Sequence, residues 1–231
     1  MAPTVAVIVP VLNERLFIID ALQSLSCLGA DEIIVVDGNS TDGTYELIKE
    51  RFPRVLCLKT TFANRAIQMN VGASAAVSDI LVFLHADSRL PANAVSYVQK
   101  AMQRGYRSGG FMKKYKPANL VLNIYGFLLN HIYLRFCKNL VGSNAIFIRR
   151  DLFESLRGFP ELNFMEDVHF AKILKKTGRL AIIDKPVIVS SRRYQKNGVL
   201  KQIVRNAGIM FDYQYLQRDP QELKKAYTAH V

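Results

Sequence analysis

Four short apolar runs in the first part of the chain constrain the fold more than any other feature. They are 4–11 (TVAVIVPV), Glu32–Asp37 (EIIVVD), 55–58 (VLCL) and 80–84 (ILVFL). Each is too short for a helix; the first, second and fourth fit strands buried on both sides, and 55–58 fits a further short strand. Between them lie stretches with helical spacing. Ile18, Leu22, Leu25 and Leu28 mark the first, with Asn13 as the expected cap and Gly29 as the stop. Residues 44–51, broken by Pro53, and 65–76 mark the next two. This alternation predicts an α/β chain whose mostly parallel sheet is flanked by helices. Such sheets bind ligands at the carboxyl ends of their strands, so loops 10–14, 37–42 and 85–87 are where chemistry is expected.

The second half is less regular. Strands are expected at 109–115 and 144–148, and as two short pieces, 180–183 and 187–190, around Pro186. Asp151 is placed to cap a short helix that Gly158 closes, Glu166–Lys176 reads as a helix closed by Gly178, and a basic helical tail follows Gly198. With no repeat and no linker-like stretch, one domain over 1–231 is the expected organisation.

Charge divides the chain as well. Residues 1–100 hold 8 Lys/Arg against 10 Asp/Glu, and residues 101–231 hold 23 against 9. The basic part points to an anionic partner, whether nucleic acid, lipid surface or phosphorylated small molecule, or to a solubilising surface. Interleaved aromatic and basic motifs of the RNA-binding kind are absent, so nucleic acid is disfavoured. Cys27, Cys57 and Cys137 match no metal spacing and read as small buried apolar residues of a reducing, cytoplasmic compartment. Residues 119–136 are apolar and aromatic but broken by Asn123, Gly126, Asn130 and His131, which argues against a membrane span. A buried core helix, an acceptor-side lid, a homodimer face and a helix lying on an anionic membrane surface, flanked by Lys113, Lys114, Lys116, Arg135 and Lys138, are all open readings.

The candidate chemistry sits where the strands end. Asp37 can accept hydrogen bonds from a ligand or shape an Asx-turn. Asp87, in His85-Ala86-Asp87, can hold a divalent cation that keeps phosphate and water as its other ligands, or cap a turn. Glu166-Asp167 opens a helix, where acids are favoured anyway, and can supply a general base flanked by apolar Met165 and Val168. Arg65 and the Arg192-Arg193 pair suit phosphate binding as well as surface charge.

Taken in order, VIVPVLNE (7–14), EIIVVDGNSTDGT (32–44), NRAIQMNVGA (64–73), LVFLHADSRLP (81–91), FIRRDLFESLRGFPE (147–161) and MEDV (165–168) resemble glycosyltransferase family 2, inverting enzymes with the GT-A fold. The likeness extends over residues 4–195 and is greatest to a small soluble subgroup associated with radical-SAM and selenoprotein domains. It implies a single GT-A domain, with about 1–100 binding the nucleotide and about 101–231 the acceptor. It also implies a nucleotide-sugar donor, UDP- or GDP-linked, and a divalent cation, Mg²⁺ or Mn²⁺. Residue by residue, Asp37 would bind the nucleobase, with Pro10 and Glu14 lining the same pocket. Arg65 would reach the base or phosphates, and Asp87 would hold the metal. Asp167 would be the general base supported by Glu166, and Arg193 would face the diphosphate or acceptor. His85 stands where many relatives carry the first Asp of D-x-D. Ser190 and Tyr194 replace the Gln and Trp of processive relatives, which argues against a polysaccharide synthase. A nucleotidyltransferase is disfavoured because PVLNE lacks the glycine-rich loop that chemistry needs. A binding domain without turnover, and a membrane-peripheral transferase acting on lipid-linked sugars, are the alternatives to a soluble transferase.

Overall fold

A computed structural model describes residues 2–228. The first part runs β1 (Val5–Val11), α1 (Ile18–Ser26), β2 (Glu32–Asp37), α2 (Thr44–Arg51), β3 (Leu56–Lys59), α3 (Arg65–Ala75) and β4 (Ile80–Phe83). There follow β5 (Ser88–Arg89), α4 (Ala94–Gln103), β6 (Ser108–Lys116), α5 (Leu120–Leu128) and a π-helical segment, Leu129–Phe136. A 3₁₀ turn, Gly142–Asn144, leads into β7 (Phe147–Arg149), α6 (Arg150–Ser155) and α7 (Glu166–Lys176). The chain ends with β8 (Leu180–Ser190), α8 (Arg192–Asn197), α9 (Val199–Gln214) and α10 (Pro220–Thr228).

The eight strands form one sheet in the order β3-β2-β1-β4-β7-β6-β8-β5. β1, β2, β3 and β4 are mutually parallel, as the alternation requires. The sheet then changes direction, because β7 runs antiparallel to both β4 and β6, while β8 returns parallel to β6. β1 shows why its apolar run has no polar face, whereas β3 at the sheet edge leaves Leu56 exposed. Val5, Val7, Val9 and Val11 enter the core beneath Ile18, Leu22 and Leu25 of α1. Ala6 and Ile8 point the other way, beneath Ala66, Met69 and Ala73 of α3. Burying each Val or Ile contributes about 1.5–3 kcal/mol relative to exposure. Gly72 lets α3 approach the sheet, since a β-carbon there would lie 2.5 Å from Cγ2 of Ile8.

Several expectations are corrected. Asn13 does not cap α1, whose N-terminal cap position is Phe17; it adopts φ 52° and its Oδ1 accepts from the Thr41 amide, tying the loop after β1 to the loop after β2. Asp151 lies in the first turn of α6, behind Arg149 at the cap position. The segment expected as a strand at 144–148 begins as a 3₁₀ turn, with Asn144 buried and its Nδ2 donating to the Phe111 carbonyl. The two short strands around Pro186 are one strand, β8; its pairing with β6 shifts register between Phe111 and Lys113, so the proline falls where ladder bonding is interrupted. None of the cysteines is buried: Cys27 is exposed, just past the apolar face of α1, and Cys57 and Cys137 are half-buried. No described helix is long and apolar enough to cross a membrane.

Candidate active site

The carboxyl ends of β1 and β4 meet the start of α7 and the Gly142 turn. Pro10, Arg65, His85, Gly142 and Asp167 line one small cleft there, floored by Met69, Phe83, Ile146 and Phe159. Asp167 reaches it because Met165 takes φ 63° just before α7, turning the helix start inward. Its Oδ2 accepts the Gly142 amide at 2.5 Å and its Oδ1 accepts the Val168 amide at 2.8 Å. Neighbouring Glu166 is buried and pairs with the half-exposed Arg65 guanidinium, Oε1 to Nη1 at 3.1 Å. Burial, reinforced by the Asp167 charge, raises the Glu166 carboxyl above its ordinary range, and the Arg65 charge offsets part of that rise. The same burial that the flanking Met165 and Val168 suggest therefore acts on Glu166.

Asp37 ends β2 with no solvent exposure. Its Oδ1 accepts the Ser40 amide at 2.7 Å, while Oδ2 is buried without a partner among the described residues. One oxygen thus shapes the turn, and the other has no donor among the described residues. Such an orphaned acceptor costs about 1–3 kcal/mol.

Glu14 and Asp87 are gathered by one arginine. Arg192 donates from Nη1 to Glu14 Oε2 at 2.9 Å and from Nη2 to Oε1 at 2.5 Å, and its Nε lies 3.4 Å from Asp87 Oδ2. The guanidinium also stacks 4.9 Å above the Phe17 ring. Arg193, expected to face the diphosphate or acceptor, donates to the Tyr227 hydroxyl at 2.6 Å and lies over that ring. Successive residues on a helix point about 100° apart, so α8 sends one arginine to the strand ends and the other to α10. The adjacent pair was visible in the sequence; which member would face the carboxylates depended on the phase of α8.

His85 is enclosed beside Gly142, and burial, with the Arg65 charge, lowers its imidazole to about 4, so it is neutral at pH 7. Lys113 is a further group that sequence reasoning used only as a basic flank. It is buried, its Nζ donates to Ser143 Oγ at 2.9 Å, and Asn130 holds both its N–H and its carbonyl. Burial lowers its ammonium to about 8 against the opposing pull of Asp167. Among the described residues no three His, Cys, Asp or Glu side chains cluster as a ready-made metal site.

A sheet of this topology, parallel over β1–β4 and mixed beyond, is that of the GT-A fold, with carboxylates after β2 and β4 and at the start of α7. The chain belongs to glycosyltransferase family 2, whose sequence profile (Glycosyl transferase family 2) matches residues 6–156. Solved structures agree on the fold. Staphylococcus aureus TarS 1-349 in complex with UDP superposes with a TM-score of 0.66 at 18% identity, over 81% of this chain and 60% of that one. The mannosyltransferase PcManGT of Pyrobaculum calidifontis, in complex with GDP-Man and Mn2+, gives 0.63 at 21% identity, over 90% and 65%. Glucosyl-3-phosphoglycerate synthase of Mycobacterium tuberculosis, in complex with Mn2+, UDP and glucosyl-3-phosphoglycerate, gives 0.61 at 19% identity, over 88% and 78%. This chain therefore spans under two thirds of the TarS and PcManGT chains. No curated protein sequence matches it.

Proposed function

We propose that this chain transfers a sugar from a UDP- or GDP-linked donor to an acceptor hydroxyl with inversion, assisted by a divalent cation, and that Asp167 is the general base. The observation that carries the reading is Asp167 itself, a carboxylate fixed by the Gly142 amide and facing the same cleft as Pro10, Arg65 and His85. In this reading residues 1–100 hold the donor and 101–231 the acceptor. The unpartnered Oδ2 of Asp37 would accept a nucleobase N–H. Arg65 and Arg192 would lie within reach of the diphosphate.

Asp87, with neutral His85 two residues before it, has the donor chemistry to hold Mg²⁺ or Mn²⁺. A hard cation of this kind needs only one or two protein carboxylates when substrate phosphates complete its shell. When bound, it would neutralise charge that develops on the departing diphosphate. The remaining steps belong to the chain. Asp167 takes the proton of the acceptor hydroxyl as its oxygen forms a bond to the anomeric carbon. The bond from that carbon to the diphosphate oxygen breaks on the opposite side, and its electron pair leaves with the nucleoside diphosphate. General-base help of this kind is worth about 10²–10⁴-fold.

The test is Asp167→Asn, assayed for nucleoside diphosphate release from UDP- and GDP-sugars with Mn²⁺. Turnover should fall by about 10²-fold or more with donor binding retained. Wild-type turnover in this variant would sink the assignment. The contact of Arg192 with both Glu14 and Asp87 favours a second reading, a domain that binds nucleotide-sugar without turning it over; release of free nucleoside diphosphate separates the two.

A further inference from the structure

We propose that the outward faces of α5, the π-helical segment and α9 form one docking surface for an anionic phospholipid bilayer. Leu120, Ile124, Leu128, Ile132 and Phe136 recur at every fourth residue and all are exposed, Leu120 at 75% and Phe136 at 83%. The opposite side of the same elements, at Leu122, Gly126 and Leu134, is buried. The apolar stripe thus points away from the core, the reverse of an ordinary surface helix. α9 repeats the arrangement. Leu200, Val204, Phe211 and Tyr215 are exposed, while Gln202, Ile209 and Tyr213 are buried.

The two stripes belong to neighbouring elements. α5 packs beside α9. The Tyr125 ring lies against Tyr194 of α8, and Gln214 of α9 donates to the Tyr133 hydroxyl at 2.9 Å. Exposed apolar sets of this extent mark an interaction surface rather than random exposure.

Charge selects the occupant. No Asp or Glu occurs between Asp87 and Asp151, and none between Asp184 and Asp212. α5 and the π-helical segment lie in the first of these acid-free stretches, and α8 with most of α9 in the second. Their exposed charged side chains are basic: Lys116 before α5, Arg135 and Lys138 around the end of the π-helix, Lys196 and Lys201 beside α9. Arg135 is paired with Asp184. A second copy docked through this face would bring lysines against lysines. An anionic bilayer offers an apolar interior to the stripes and negative headgroups to the lysines. The inner side of α9 borders the start of α7, since Ile209 and Tyr213 pack with Met165 and Val168, the residues flanking Glu166 and Asp167. Docking would therefore set the acceptor end of the site beside the membrane.

Flotation of the full chain with phosphatidylcholine vesicles, with and without phosphatidylglycerol, tests this. Binding is expected to the anionic vesicles at low salt, with release at high salt and little binding to phosphatidylcholine alone. Ile124→Ser/Ile132→Ser/Phe136→Ser should weaken binding about tenfold or more without lowering the melting temperature. Lys116→Glu and Lys201→Glu should each weaken it by at least about fivefold. Absence of binding to anionic vesicles at low salt overturns the proposal. So does a dimer in sedimentation velocity that the triple serine variant abolishes while neither protein floats, because a second copy then covers the face. Flotation needs no donor, so a protein that floats but releases no nucleoside diphosphate counts against the proposed activity alone, and one that turns over but does not float counts against docking alone.

Discussion

The main-chain N–H of Gly142 donates to Asp167 Oδ2 at 2.5 Å, and a β-carbon at position 142 would stand 2.8 Å from that same oxygen and 2.6 Å from His85 Nε2. Position 142 must therefore lack a side chain if Asp167 and His85 are to keep their places. Gly142→Ala is expected to displace one or both, with an overpacking cost of about 1–3 kcal/mol. Turnover should fall about 10²-fold while donor affinity changes little, because a small misplacement of a reacting group is enough for that loss. Steady-state kinetics beside donor titration calorimetry measure the two; an active Gly142→Ala enzyme would show that the amide contact is dispensable.

Arg192 holds its Nε 3.4 Å from Asp87 Oδ2. Replacing it should leave Asp87 to a metal, so Arg192→Gln is expected to bind Mn²⁺ more tightly without nucleotide, by up to about fivefold, the range of partly exposed ion pairs. Arg193→Gln, whose guanidinium rests on Tyr227, should leave Mn²⁺ affinity unchanged. Electron paramagnetic resonance titration of free Mn²⁺ reads both variants, and equal effects would mean that Arg192 does not compete with the cation.

The lone Oδ2 of Asp37 predicts an asymmetric outcome for Asp37→Asn. The amide oxygen can still accept from Ser40, so the fold should melt no lower than wild type. If Asp37 receives the nucleobase as proposed, losing the carboxylate should weaken UDP or GDP binding about tenfold or more. Calorimetry and thermal unfolding check the two halves separately, and unchanged nucleotide affinity would remove Asp37 from the base site.

Lys113 supplies a pH signature. Its folded pKa, about 8, lies below the ordinary 10.5. Below pH 8 it is protonated in both states and the cost of burying its charge is present in full. Between about 8 and 10.5 the native state sheds the proton first, so stability rises with pH in that window. The gap corresponds to roughly 3 kcal/mol. Lys113→Met should lack this gain, so its advantage over wild type in urea unfolding shrinks from pH 7 to pH 10. Parallel pH profiles for the two proteins would contradict a depressed Lys113.

The strand ends were legible because strand and helix periods differ and because carboxyl ends of parallel strands collect ligands. Asp37 and Asp87 could therefore be placed after strand ends from the sequence, whereas Asp167 was marked only as an acid opening a helix and by the family resemblance. The same local signals could not separate Arg192 from Arg193, because that choice rests on the phase of α8 relative to Glu14. Nor could they show Lys113 buried, since its inward direction depends on the irregular β6–β8 pairing and on Asn130, which clasps its backbone. The apolar 119–136 segment read equally well as core or surface; packing alone turned its stripe outward.

The sequence by itself determined the parallel half of the sheet and the position of Asp37 and Asp87, because apolar strand runs are uninterrupted and their ends are marked by polar loops. Tertiary structure decided which charges meet. Glu14, Asp87 and Arg192 come from three separated segments, and the Gly142–Asp167 contact joins a turn to a helix start. Such pairings are fixed by where elements pack in space, a quantity that neither composition nor local periodicity encodes.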